Sequence, residues 1–164
     1  MMALAALACA AFLGYGFYLQ YVQGLQPCPL CLVQRGFFFL ILASFALGAI
    51  HGPGKRGTAV YSIFIVLFAA GGAATAGRQV WLQSLPADQV PACGPDLFFM
   101  LQNFPLARTV QKLFQGSGEC AVVDWKFLGL SLAGWALVSF VALAAYALWL
   151  ALRRSRGAAA TASP

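Results

Sequence analysis

The chain is poor in charge. Aspartate, glutamate, lysine and arginine together make up only 9% of its 164 residues, only four residues are acidic, and His51 is the single histidine. A soluble globular domain carries about 25% charged residues, so a surface wetted on all sides is excluded. The hydrophobic fraction of 62% instead makes lipid the solvent around most of the chain. The lone histidine weakens any zinc centre, because a knuckle built on CPLC needs two further Cys or His ligands close by. The net charge of +6 is accounted for by membrane topology and contact with anionic lipid, and it calls for no nucleic acid.

What the sequence does have is long uncharged runs. A spanning helix needs roughly 20 mainly apolar residues, and four segments qualify. They run from about Ala3 to Val22, Leu32 to Ile50, Thr58 to Gly77 and Phe127 to Leu152, with Arg35 near the start of the second as the only charge among them. Backbone in lipid must satisfy its hydrogen bonds within each segment, so the expected fold is an all-α integral membrane protein, a four-transmembrane-helix bundle forming one domain. The opening MMALAALACAAFLGYG also has something of a signal peptide, with Cys9 placed like a lipoprotein cysteine. It lacks a basic n-region, and its apolar run outlasts an h-region. Its abrupt start leaves room for a preceding cytoplasmic segment.

Four spans put both termini on one side, with residues 51–57 and the tail 153–164. Residues 23–31 and the long segment 78–126 lie on the other. Raw counts of basic residues are equal, but Lys55 and Arg56 are concentrated in HGPGKRG and Arg153, Arg154 and Arg156 in RRSR. On the opposite side Arg78, Arg108, Lys112 and Lys126 are diluted along a loop that holds all the acids. The positive-inside tendency then makes the termini cytoplasmic. Cys28, Cys31, Cys93 and Cys120 all fall on the outer side, as expected where disulfides persist, for example in the bacterial periplasm.

The densest chemical signal is LQPCPLCLVQR, residues Leu25 to Arg35. If the helix begins at CPLC, Cys28 and Cys31 share a face near the positive end of its dipole. Arg35, four residues beyond Cys31, comes round to the same face. Both effects favour the thiolate, which is the reactive form of cysteine. A structural disulfide in CPLC would close too short a loop to stabilise much, and metal lacks partners, so redox chemistry accounts best for the motif. A charge one turn into a span either snorkels to the surface or serves function; its spacing from Cys31 favours function for Arg35.

Cys93 and Cys120 stand in ACGPD and GSGEC. Two cysteines in an exported loop commonly form an ordinary structural disulfide. Their glycine, proline and acidic surroundings also suit an accessible disulfide of the kind that exchanges with a partner thiol. Between them PLARTVQKLF places Leu106, Val110, Leu113 and Phe114 at helical spacing, as in a short helix lying in the membrane interface or packed on the spans. Trp81, Phe98, Phe99 and Trp125 fit an interfacial aromatic belt. Cys9, inside the first apolar run, is assigned no chemistry.

CPLCLVQR at the start of the second span, a later outer-loop cysteine pair with GSGEC, and DWKFLGLS together resemble the DsbB family of bacterial disulfide bond formation proteins. The resemblance runs from the first span to the fourth. It implies an inner-membrane enzyme that reoxidises a periplasmic DsbA-like thioredoxin-fold oxidase and passes the electrons to ubiquinone or menaquinone, the relay that keeps the bacterial periplasm oxidising. It further implies redox disulfides Cys28–Cys31 and Cys93–Cys120. Cys93 would take the mixed disulfide, Cys120 would attack Cys28, and Cys31 would face the quinone beside Arg35. Arg78 and Gln79, in GRQVWLQ at the end of the third span, are further candidates for that pocket. The competing expectations are a paralogue dedicated to one oxidase, a non-catalytic scaffold with one structural disulfide, and a metal-handling membrane protein.

Overall fold

A computed structural model of the chain describes residues 2–86, 88–90, 97–115, 118–123 and 125–159; the side chains of residues 55, 97, 98, 113–115 and 154–159 are excepted. Four long helices carry the architecture: α1 Met2–Tyr21, α2 Pro29–His51, α3 Lys55–Gln83 and α7 Leu132–Ala159. Each contains a stretch long and apolar enough to cross a bilayer. α1 packs on α2, α2 on α3, and α3 on α7. Leu4, Leu7, Ile50, Ile63, Leu67 and Val141 remain exposed on the outside, the inversion expected of a bundle solvated by lipid. The four-helix membrane bundle read from composition is therefore the observed fold.

Buried positions recur with helical spacing. On α2 they include Leu30, Gln34, Phe38, Ile41 and Phe45, and on α3 Thr58, Ser62, Ile65, Ala69, Ala76, Gln79 and Leu82. The α3 series advances mainly by steps of three and four, which keeps one seam facing its neighbours. Small residues on this seam let large ones in, since lipid supplies no hydrophobic drive for helix association and close packing must do so. Gly72 is the extreme case: a Cβ there would sit 2.3 Å from the ring of Phe140. Phe140 in turn stacks on Phe38 with centroids 4.2 Å apart, and Phe38 on Phe12 at 4.7 Å. This run of rings joins α7, α2 and α1 through the centre of the bundle.

Hydroxyls inside the spans bond back to their own helices. Ser44 Oγ donates to the Leu40 carbonyl at 2.8 Å, and Thr75 Oγ1 to the Gly72 carbonyl at 2.8 Å. α2 ends at Gly52, whose φ of 51° is the left-handed cap conformation that glycine adopts without cost.

Among the described residues between α3 and α7 are three short helices, α4 Leu97–Asn103, α5 Leu106–Gln115 and α6 Gly118–Ala121, followed by two short strands. Leu106 and Val110 of α5 are exposed; the side chains of Leu113 and Phe114, the other half of that expected face, lie outside the described residues.

Several boundaries differ from expectation: the third helix, for example, runs over Lys55–Gln83 rather than from Thr58 to Gly77. Composition places the start of the fourth span at Phe127, but β1 Lys126–Phe127 and β2 Leu130–Ser131 pair antiparallel there, and the helix starts at Leu132. Leu128 and Gly129 form the turn with φ of 51° and 82°, the positive values that a two-residue hairpin demands. Ser131 Oγ then accepts from the Gly134 amide at 3.2 Å, an N-cap that starts α7. The residues of the hairpin are as apolar as the span that follows, so composition hides the turn and only Gly129 marks it. The second helix also starts earlier than the expected Leu32, at Pro29, because Cys28 caps it and proline fits the first helical position.

Candidate active site

The site forms at the end of the bundle where α1 stops, α2 and α7 start and α3 runs out. Cys28 is the N-cap of α2, and its sulfur accepts from the Cys31 amide at 3.4 Å. One turn of helix brings Cys31 Sγ to 2.9 Å from Cys28 Sγ, with the Cys28 thiol donating. CPLC thus gains both its geometry and its exposure to the helix dipole from where the helix begins.

Cys120 arrives from a distant part of the chain. It is fully buried on α6 in a small cluster with Cys28, Leu30 and Leu82, flanked by Cys31, Leu85 and Ala121. Three sulfurs therefore share one apolar pocket. The hydrogen bond to Cys120 raises the Cys28 thiol well above its ordinary range, and the one to Cys31 and burial push the same way. Cys28 is consequently the cysteine that keeps its proton. Cys93, the fourth cysteine of the expected redox set, lies outside the described residues.

Gln79 reaches across from α3. Its Nε2 lies 3.2 Å from Cys31 Sγ and 3.4 Å from Cys28 Sγ, and its Oε1 accepts from Gln34 Nε2 at 2.8 Å. Arg78, its neighbour, points elsewhere and lays its guanidinium over the Trp81 ring at 4.1 Å. Of the two candidates from GRQVWLQ, Gln79 meets the sulfurs.

Arg35 is half-buried and tied to α1. It donates to Gln20 Oε1 and, at 2.8 Å, to the Gly16 carbonyl, and lies 4.9 Å over the Phe17 ring. Its charge is thereby held within the bundle by hydrogen bonds rather than drawn out to the surface.

Cys28, Cys31, Gln34, Arg35 and Gln79 open onto one cavity of about 910 Å³, counting the space at its mouth. Leu13 and Gly16 of α1, Phe38 of α2 and Ala133 and Ala136 of α7 supply apolar walls; Cys28, Cys31, Gln34, Arg35 and Gln79 supply the polar side. An apolar cleft with a few convergent polar groups is the usual form of a small-molecule site. Ser131 Oγ donates to Gln83 Oε1 at 2.6 Å on the same wall and ties the end of α3 to the start of α7. Gln20, Gln34, Gln83 and Ser131 were not singled out from the sequence. An uncharged amide within an apolar span was the available signal for Gln34, since polar side chains at that depth seek partners.

Comparison with known proteins bears on what this pocket does. The family model for disulfide bond formation protein DsbB matches residues 1–150. The chain is 51% identical over 150 residues to disulfide bond formation protein B of Hahella chejuensis, covering 92% of this chain and 91% of the relative. It is 49% identical to that of Nitrosococcus oceani over 150 residues, covering 92% and 89%. It is 47% identical to disulfide bond formation protein B 1 of Pseudomonas aeruginosa over 152 residues, covering 93% of each. A pocket of clustered cysteines at the mouth of a four-helix membrane bundle, in a chain matched along most of its length, belongs to a thiol oxidoreductase of the DsbB family.

Proposed function

We propose that the chain is an inner-membrane thiol-to-quinone oxidoreductase that reoxidises a periplasmic DsbA-like dithiol oxidase. The observation that carries this reading is that Cys28 and Cys31, packed against Cys120, open onto the same cavity as Arg35 and Gln79. A thiol oxidase without a small-molecule acceptor would need the sulfurs but not an apolar cleft beside them.

Each exchange step makes one disulfide and breaks another. A thiolate of the reduced partner attacks Cys93 of a Cys93–Cys120 disulfide, forming a mixed disulfide and releasing Cys120 as thiolate. The partner's second thiol then displaces Cys93 and leaves the partner oxidised. Alternatively Cys120 first attacks Cys28 of a Cys28–Cys31 disulfide, so that Cys31 departs as thiolate. The burial of Cys120 against Cys28 supports this second branch, because exchange needs contact between the attacking and attacked sulfurs.

The cavity fits a quinone. Its apolar walls suit a ring and prenyl chain, and Arg35, Gln79 and Gln34 are donors able to meet ring oxygens. A bound quinone supplies the acceptor of two electrons and two protons that the dithiol gives up. Arg35 would hold a ring oxygen and favour negative charge there. Gly16 and Leu13 on α1, facing Ala133 and Ala136 on α7, would line the path of the chain toward lipid.

In this reading the termini and residues 51–57 are cytoplasmic, and residues 23–31 and 78–126 periplasmic, with α5 lying in the interface. The experiment is to mix purified protein with a reduced thioredoxin-fold dithiol and a soluble quinone and follow quinone reduction. Cys31→Ser and Cys93→Ser are each expected to abolish turnover; if both variants still pass electrons, the mechanism is wrong.

A further inference from the structure

An amide side chain offers a donor at one end and an acceptor at the other. Which end of Gln79 faces the cysteines is decided by what the opposite end meets. Gln34 Nε2 donates to Gln79 Oε1 at 2.8 Å, and both residues are buried, 5% and 4% exposed. Gln34 lies three residues beyond Cys31 on α2, so its side chain falls on the face that carries the cysteine. With Oε1 held, Nε2 is left toward the two sulfurs. The protonated Cys31 thiol also reaches Oε1, at 3.5 Å; once ionised it has no proton to give, and Nε2 is the end that serves it. The guanidinium of Arg35 meanwhile bonds to Gln20 and Gly16 of α1.

We propose that Gln34 is a positioning residue that holds the Gln79 amide with its Nε2 toward Cys28 and Cys31, making Gln79 the uncharged catalytic donor to the Cys31 thiolate. A donor without charge suits this buried, apolar site, because it steadies the anion without burying a second ion beside it. Were the amide reversed, its carbonyl oxygen would confront the thiolate. Gln34 prevents that by occupying the carbonyl. The inference deepens the function proposed above and rests on Cys31 being the sulfur that carries electrons onward.

The test is a double-mutant cycle read by alkylation of Cys31 with iodoacetamide in the reduced, detergent-solubilised protein, followed by mass spectrometry across pH. Gln34→Leu and Gln79→Leu are each expected to slow alkylation about tenfold at neutral pH, the size of a lost hydrogen bond to a charged group. At high pH, where the thiol is ionised regardless, both should match the wild type; altered access alone would slow alkylation at every pH. The double variant is expected to lose no more than Gln79→Leu alone, because Gln34 acts through Gln79. Gln34→Asn, one methylene too short to reach Oε1, should reproduce Gln34→Leu and serves if the leucine variant does not fold. An unchanged profile in both Gln34 variants, or losses that multiply in the double variant, overturns the proposal. Alkylation requires no quinone, so wild-type protein that fails to reduce quinone yet shows the non-additive cycle would sink the function and leave the amide clamp standing.

Discussion

Cys120, on a helix of four residues, lies fully buried against Cys28 at the N-terminus of α2, and the two thiols are hydrogen-bonded. The contact joins two loops that enter the bundle separately. It gives the pocket a sulfur that can exchange with CPLC without a large movement of the chain.

The same contact controls the reactivity of Cys28. Its thiol is raised first by the hydrogen bond to Cys120, so it stays protonated and unreactive through neutral and mildly alkaline pH, above which an ordinary cysteine would already ionise. Cys120→Ala removes the largest cause and should bring ionisation down toward the ordinary range. Alkylation of Cys28 at mildly alkaline pH is then expected to rise about tenfold, as it would if the thiol ionised roughly one pH unit lower. Cys120→Ser keeps an acceptor in place and should leave Cys28 slow. Equal rates in the alanine and serine variants would mean that access, not the hydrogen bond, had protected Cys28.

The central ring stack depends on a missing methyl group. Gly72→Ala would drive a Cβ to within 2.3 Å of Phe140, whose ring is fully buried and stacked on Phe38 and cannot swing aside freely. The expected loss is about 1–3 kcal/mol, the usual cost of overpacking a close-packed core. Gly36→Ala is the control, since nothing lies within 4 Å of the Cβ it would add; an open helical position should gain slightly from alanine. Denaturant unfolding in detergent reads both. Gly72→Ala as stable as Gly36→Ala would show that the stack has slack.

The parts of this structure that were legible in the sequence are those that composition or local spacing encodes. Four long apolar runs name four helices because lipid imposes the rule on each segment alone. CPLC and Arg35 were legible because their spacing on one helix is local. The hairpin at 126–131 was hidden because Phe127, Leu128 and Leu130 are as apolar as the helix behind them. Gln34 and Gln20 were silent for another reason. A glutamine in a span becomes informative only once its partner is known, and Gln79 and Arg35 reach them across helix interfaces. The meeting of Cys120 with Cys28 is likewise tertiary, and no spacing in the chain announces it.

Arg35 offers the sharpest test of the cavity. Its guanidinium donates to two acceptors on α1, the Gln20 side chain and the Gly16 carbonyl, so α1 fixes where the charge of α2 stands. Arg35→Leu is expected to raise the quinone KM about tenfold or more, the loss of a charged hydrogen-bond donor, with thiol exchange between partner and protein unchanged. Arg35→Lys keeps the charge but not the fork that reaches both α1 groups, and should recover only part of the affinity. Gln20→Leu leaves the guanidinium present but held by Gly16 alone, and a KM increase of about threefold is expected from the loss of one positioning bond. Steady-state kinetics at varied quinone, with partner oxidation followed separately, distinguishes these outcomes. A quinone KM left at the wild-type value in Arg35→Leu would remove Arg35 from the ring site and leave it the task of fastening α1 to α2, which a lowered unfolding midpoint in the same variant would then register.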